Sequence, residues 1–158
     1  MTDFDALWRR MVKSIAVGFA VEFDENFRRK AFFDKPWKRR RMNERGSILI
    51  GTGQLRRSIR KEVNGNKIVF LSHLPYAEIH NEGGEIIVTE KMKRFFWYKY
   101  ASTKLLAYKY MAMMKTGSKI VIPQRQFVGY HRALDKVVER EAQAFVDAAM
   151  REVAKNNG

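Results

Sequence analysis

Apolar side chains recur at three- and four-residue steps through the start of the chain, and this spacing places them on one stripe of a helix. The stripe consists of Phe4, Leu7, Trp8, Met11, Val12, Ile15, Phe19, Phe23 and Phe27. We predict a helix that begins near Asp3 and ends at Phe32 or Phe33. Pro36 stops it, because the proline ring disfavours helical geometry in the preceding residue. Gly18 lies in mid-helix, where glycine costs about 1 kcal/mol relative to alanine, so we expect a close helix crossing or a bend there.

The middle of the chain shows the alternation that is typical of strands. Ile59, Lys61 and Val63 alternate with Arg60 and Glu62, and residues 68–71 are apolar. Asn64-Gly65-Asn66 separates them, and because Asn and Gly tolerate the positive φ of a tight reversal, the pair predicts a β-hairpin. Residues 85–89 and 119–122 are a third and a fourth strand candidate, the last one halted by a proline, which cannot donate to a ladder. We expect one small antiparallel sheet of about four strands.

Helices are predicted around these strands. A short helix should span Leu74 to Asn81, opened by Pro75 and stopped by the following glycines. Residues 90–116 favour one or two helices, and a closing helix should run from Tyr130 to Lys155. Its apolar face comprises Leu134, Val138, Ala142, Phe145, Ala149 and Val153.

These elements predict an α+β fold in a single domain, 1–158, because a chain of 158 residues buries one modest core. Long N-terminal and C-terminal helices should pack on the sheet. The expected segments are an N-terminal helix (3–33), a basic loop (35–45), a hairpin and sheet region (51–89), a helical insertion (90–116), a strand and turn (119–129) and a C-terminal helix (130–155).

Charge narrows the range of partners. Lys and Arg number 31 against 17 Asp and Glu, which gives a net charge of +14 and points to polyanions or acidic proteins. The basic loop concentrates this charge at Lys38, Arg39, Arg40 and Arg41. Two interpretations of the loop stay open: solvated surface, or a contact with a polyanion such as DNA, whose condensed counterions cations release.

Catalytic and metal-binding patterns are weak. The chain has no cysteine, and none of its three histidines has a second ligand at metal-binding spacing. A magnesium-dependent nuclease of the restriction type needs an acidic residue two positions before a lysine, and neither Asp-x-Lys nor Glu-x-Lys occurs. Gly51-Thr52-Gly53 lacks the lysine of a phosphate-binding loop. We therefore expect no enzyme activity, no cofactor and no metal.

The uncharged run of residues 14–21, like every other uncharged run in the sequence, is far shorter than the roughly 20 apolar residues that span a bilayer. We therefore expect a soluble, intracellular protein without a membrane partner. Residues 90–116 are dense in aromatic side chains, methionine and lysine. This density exceeds what a helical excursion can bury alone, so we interpret it as an oligomer contact; stacking on unpaired bases is the alternative.

Three segments occur in a recognisable order. Thr52-Gly53-Gln54-Leu55-Arg56-Arg57-Ser58-Ile59 precedes the hairpin, Pro75-Tyr76-Ala77-Glu78-Ile79-His80-Asn81-Glu82-Gly83-Gly84 follows it, and Ile122-Pro123-Gln124-Arg125-Gln126-Phe127-Val128-Gly129 precedes the last helix. Together they resemble the phage virion morphogenesis family, the tail-completion and head-tail joining proteins of tailed phages. The resemblance covers roughly residues 51–145, and the long insertion departs from the compact members.

The resemblance implies a structural protein of a phage or prophage that assembles as a ring at the neck or tail end. Its partners would be copies of itself, other neck, portal or tail proteins, and DNA in the lumen. It would reside in the virion, and in the host cytoplasm during assembly. The implied structural residues are Gly53, Leu55, Ser58, Ile59, Tyr76, His80, Gly83, Gly84, Gly129, Pro123, Arg125 and Phe127. Leu55, Ile59 and Phe127 would be core, and Tyr76, His80 and Arg125 would hold the element between the hairpin and the last helix.

Two other functions are weighed against this one. A basic nucleic-acid-binding module without catalysis predicts tight, steeply salt-dependent DNA binding by the monomer. A nuclease predicts magnesium-dependent cleavage, for which the chain offers no set of carboxylates.

Overall fold

The computed structural model describes residues 3–39 and 48–156. Two long helices and three strand pairs make up the described fold. In chain order the elements are α1 (Asp3–Arg29), β1 (Ala31–Phe32), β2 (Lys35–Pro36), α2 (Gln54–Ser58), β3 (Arg60–Asn64), β4 (Lys67–Leu71), α3 (Ala77–Glu82), β5 (Gly84–Ile87), α4 (Glu90–Thr103), α5 (Leu106–Met113), β6 (Lys119–Ile122), a 3-10 turn (Arg132–Leu134) and α6 (Asp135–Asn156).

The α+β class is confirmed, but the strands are arranged differently from the expected single sheet. In the described residues they form three two-stranded antiparallel sheets: β1 with β2, β3 with β4, and β5 with β6. β3 and β4 pair across the predicted Asn-Gly turn, with Asn64 opposite Lys67. β5 instead pairs with β6 across the insertion. α3 lies between these two pairs in the chain, and its first residue, Ala77, is buried in the core.

α1 ends three or four residues before the predicted position. Lys30 has φ 53°, which breaks the helix, and the chain reverses so that Ala31 pairs with Pro36 in a small hairpin. Ala31 and Phe32 are buried in this hairpin rather than continuing the helical stripe. Pro36 therefore lies in β2, and the expected basic loop, 35–45, starts as a strand; its residues 40–45 lie outside the described part.

α1 and α6 pack against each other along their lengths, whereas the prediction placed both helices on the sheet. Gly18 is at the crossing, where a Cβ would overlap Cγ1 of Val137. At the far end, Phe145 meets the rings of Phe4 and Trp8 edge to face at 5.3 and 5.8 Å. Gly18 therefore marks a close helix crossing.

The apolar face of α6 is rotated from the predicted one. Leu134 and Val137 are buried. Val138 and Val153, both assigned to the core face, are 39% and 59% exposed. Val137 packs against Gly18 at the crossing, and Val138, about 100° further round the helix, faces outward.

The insertion forms a pair of helices on a two-stranded stalk. The Thr89 hydroxyl caps α4 by accepting a hydrogen bond from the Met92 amide at 3.2 Å. The Val88 amide donates to the Ser118 carbonyl and the Gly117 amide donates to the Val88 carbonyl, which extends the β5–β6 pairing to the base of the helices. α4 and α5 pack chiefly on each other. Within the described residues, none of the helices combines the length and hydropathy that a membrane span requires.

Candidate functional site

The three motif segments meet in one buried cluster, which we call the motif junction. Phe27, Trp37, Leu55, Ala77 and Phe127 form it, and each is at least nine-tenths buried. The Phe27 ring lies between the other two aromatic rings, with centroids 5.6 Å from Trp37 and 5.3 Å from Phe127. Leu55, Ala77 and Phe127 come from the first, second and third motif respectively. Residues that are far apart in the chain thus share a single core.

The first motif supplies a one-turn helix with an internal hydrogen bond. Gly53 precedes α2 in a left-handed conformation, and Leu55 points into the junction. The buried Ser58 hydroxyl donates to the Leu55 carbonyl at 2.7 Å. Because this bond uses its only proton, Ser58 accepts from the Ser72 hydroxyl, 2.6 Å away. Ile59 is half-buried against the junction. These contacts join α2 to the end of the β3–β4 hairpin.

The second and third motifs are linked directly through the backbone. The Arg125 amide donates to the His80 carbonyl at 2.8 Å. The side-chain oxygen of Asn81 accepts from the amides of Phe127 and Val128 at 2.9 and 3.0 Å. The Asn81 oxygen has two lone pairs and so accepts from both amides, which in a sheet would donate to carbonyls of a neighbouring strand. The segment after β6 is thereby held without belonging to a sheet.

Gly83 allows the second and third motifs to approach closely. It has φ 75°, and a Cβ there would lie 2.9 Å from the backbone nitrogen of Gln124. Both the backbone conformation and the space therefore require glycine at this position. Gly84 begins β5, and Pro123 directly follows β6.

Arg125 connects the third motif to the residues after β2. Its side chain is 8% exposed, and Nε donates to the Lys38 carbonyl at 3.0 Å. Tyr76 is partly exposed, and its ring lies 6.1 Å from that of His80 in an edge-on arrangement. The structure thus brings Tyr76, His80 and Arg125 to one region. Lys38 and Arg39 are exposed beside it, whereas Arg40 and Arg41 lie outside the described residues.

Sequence reasoning missed two residues that hold the junction together. Asn26 is completely buried; its amide donates to the Phe127 carbonyl at 3.1 Å, and its oxygen accepts from the Phe33 amide at 2.9 Å. The indole nitrogen of Trp37 donates to the Gln126 carbonyl at 2.7 Å. A signal existed for Asn26, which directly precedes Phe27 in the apolar stripe of α1. Trp37 stood in a segment that we interpreted as a loop.

Two carboxylates at the edge of this region are tied to basic partners. Asp24 receives a bidentate hydrogen bond from Arg56 at 2.5 Å for each oxygen. This bond lowers the pKa of Asp24 and links α1 to α2. Asp34 lies 3.0 Å from His131 Nε2. Its pKa is lowered first by a hydrogen bond from its own backbone and then by His131, whose ring stacks on Phe33 at 4.3 Å.

The polar groups around the junction bind backbone. Asn26, Asn81 and Trp37 each hold main-chain groups of the third motif. Across residues 3–39 and 48–156, no three His, Asp or Glu side chains are grouped so as to hold a metal ion. The arrangement positions elements relative to one another, which is a structural task.

A sequence model of the phage virion morphogenesis family matches residues 9–147, which include all three motifs and most of both long helices. No curated protein and no solved structure matches the chain. The matched range covers most of the chain, and it confirms the resemblance carried by the three motifs. The protein therefore belongs to the phage virion morphogenesis family.

Proposed function

We propose that the protein is a structural subunit of a phage or prophage tail, which assembles as a ring and completes the tail or joins it to the head. The observation that carries the proposal is the motif junction. The residues by which the chain resembles the family build an internal scaffold, and their polar groups bind main chain. A scaffold of this kind suits a subunit whose work is to fit against neighbours, so the proposal includes no catalytic turnover.

Exposed apolar side chains support self-assembly. Val17 and Val21 are exposed on α1, and Val146 and Met150 are exposed on α6. Apolar residues grouped on the surface of a small protein are typical of subunit contacts. In the proposed ring, the outer faces of these two helices contact the neighbouring copies.

Charge supports a position on the DNA path of the virion. The net charge of +14 suits either DNA in the lumen or an acidic neighbouring ring. The proposed partners are therefore copies of this chain, portal, neck or tail proteins, and DNA passing through. The proposed location is the virion tail or neck, with the host cytoplasm as the site of assembly.

The test is electron microscopy of particles made without this protein. Separate full heads and unjoined tails, restored to joined virions when the wild-type chain is supplied from a plasmid, are the expected result. Intact infectious virions made in its absence would reject the proposal. Negative-stain images of the purified chain mixed with tails should also show a ring at one end of the tail.

A basic nucleic-acid-binding module without catalysis is the second candidate. The exposed Lys38 and Arg39 favour it, because they begin the basic run of the chain. Tight binding of duplex DNA by the monomer, falling steeply with salt, would support this function. Weak binding with a shallow salt dependence would leave the structural assignment in place.

A further inference from the structure

The insertion, residues 90–116, is basic and dense in aromatic side chains; we call it the α4–α5 arm. It contains seven Lys and Arg and one acidic residue, Glu90. The two helices contact each other through the stacked rings of Phe96 and Tyr108, 6.3 Å apart, and through the buried Ala112. That interior is small, and no residue of α4 is buried.

Large apolar side chains therefore remain on the outside of the arm. Tyr98 is 68% exposed, and six others are exposed with it. The exposed set is Phe95, Trp97, Tyr98, Leu105, Leu106, Tyr110 and Met113. Aromatic residues and methionine are enriched where proteins bind proteins. Seven such side chains on about two dozen residues exceed the scattered exposure that is normal for a surface.

The charge of the arm argues against a second copy of this chain as the occupant. Glu90 already accepts a hydrogen bond from the Thr116 hydroxyl and lies 3.7 Å from Lys93 Nζ. Two arms face to face would bring together seven cations each. The rest of the chain carries 24 basic residues (31 less 7) and 16 acidic ones (17 less 1), so a second copy offers the arm fewer carboxylates than cations. The proposed ring contacts use the exposed apolar residues of α1 and α6 instead. Like charges across a contact are unfavourable.

The mixture of side chains also argues against nucleic acid and lipid. Leu105, Leu106 and Met113 are aliphatic or thioether groups that gain nothing from phosphates. A helix that lies in a membrane separates its apolar face from its basic face. On α4 the exposed Lys91 and Arg94 instead alternate with the exposed aromatic rings.

We propose that the α4–α5 arm is a docking surface for a different protein, whose contact surface carries acidic side chains interspersed among apolar ones. The exposed rings and aliphatic groups bury against the apolar side chains of the partner, and the lysines and arginines pair with the carboxylates between them. This partner differs from the self-contact that aromatic density alone favours. That the partner is a neighbouring virion protein rests on the proposed function, whereas the apolar and acidic chemistry of its surface is inferred from the arm alone.

Site-specific crosslinking in cells that produce the phage tests the arm. The photoreactive residue p-benzoylphenylalanine replaces Tyr98 in the full chain, and Tyr130, 75% exposed near the start of α6, receives it as the matched control. Expected is an adduct from position 98 to a different protein, through a peptide with an excess of Asp and Glu. The proposal would be overturned by an adduct to a second copy, to nucleic acid or to lipid. It would also be overturned if no adduct formed, or if position 130 gave the same adduct in equal yield.

Charge reversal tests the acidic character of the partner. Lys91→Glu with Arg94→Glu should lower the yield of the position-98 adduct about tenfold, because two attractive contacts become repulsive. Lys61→Glu with Lys67→Glu, exposed on the β3–β4 hairpin, is the matched control and should leave the yield unchanged. Equal yields from the two variants, both verified as folded by circular dichroism, would overturn the acidic assignment. If the chain is absent from purified particles, the proposed function is wrong. The docking surface is tested separately, by whether position 98 forms the expected adduct.

Discussion

The side-chain amide of Asn26 donates a hydrogen bond to the carbonyl of Phe127, 101 residues further along the chain. Asn26 is completely buried in α1, and Phe127 belongs to the third motif. The same asparagine accepts from the Phe33 amide just after α1 ends. One side chain therefore holds the first helix, the reversal that follows it and the family motif in a single arrangement.

Replacing Asn26 with alanine should destabilise the fold by about 2–3 kcal/mol, because buried donor and acceptor groups lose their partner. Chemical denaturation followed by tryptophan fluorescence measures the change. Gln143→Ala is the control, since Gln143 is exposed on α6 and bonds only Asp147 at 2.8 Å in the described contacts. Equal stabilities for the two variants would show that the junction does not depend on Asn26.

Gly83→Ala should lower the free energy of unfolding by about 2–4 kcal/mol, from left-handed strain together with overpacking. The added Cβ would lie 2.9 Å from the backbone nitrogen of Gln124, and a backbone atom cannot move aside cheaply. Gly65→Ala is the matched control: Gly65 has φ 60°, and nothing lies within 4 Å of its Cβ position. It should therefore cost only the strain, about 1–2 kcal/mol. Thermal unfolding of both variants gives the comparison, and an equal loss would place the whole cost in the backbone conformation.

Gly18→Ala should destabilise the protein by about 1 kcal/mol even though alanine favours a helix by about the same amount. The clash with Val137 across the α1–α6 crossing outweighs the gain in propensity. In a Val137→Ala background the clash is removed, so the same change should stabilise the protein by up to about 1 kcal/mol. Measured stabilities of the four proteins form a double-mutant cycle, and additivity within it would contradict the close crossing.

The Asp24–Arg56 ion pair should contribute about 0.5–1 kcal/mol at neutral pH, given its partly exposed, bidentate geometry. The pKa of Asp24 is lowered in the folded state. The contribution is therefore present above the unfolded pKa of about 4 and is lost as pH falls through the lower folded value.

Urea denaturation of wild type and Asp24→Asn at pH 7, 5 and 3 measures this linkage. The difference in stability should be similar at pH 7 and 5 and smaller at pH 3. Glu139→Gln, exposed on α6, controls for the loss of one carboxylate. A difference that grows toward low pH would have the wrong sign for a lowered pKa.

Local chemistry explains what was predictable in the fold. The β3–β4 hairpin follows from an Asn-Gly turn between alternating segments, and β6 ends where Pro123 removes a donor. The helical stripe of α1 follows from the three- and four-residue spacing of its apolar residues. The crossing at Gly18 was predictable because glycine is unfavourable in mid-helix and so indicates a packing reason. The order of the three motifs indicated the family, and the match over residues 9–147 confirmed it.

The contacts that join distant segments were not predictable. α1 ends at Arg29 because the chain turns to bury Phe32, and that turn is held by Asn26, whose other partner is 101 residues away. Trp37 stood in a charged segment, yet its indole bonds the third motif. Pairing of β5 with β6 likewise depends on where a long insertion returns, and propensity carries no such information.

The chain enters and leaves the α4–α5 arm at adjacent points, since Val88 exchanges backbone bonds with Ser118 and Gly117. The arm is therefore a separable insertion. Its length and composition can change, or the residues between Thr89 and Gly117 can be deleted, while the rest of the subunit keeps its own core. Substitutions that adapt the arm to a new binding partner therefore need no compensating change in the core residues of the subunit.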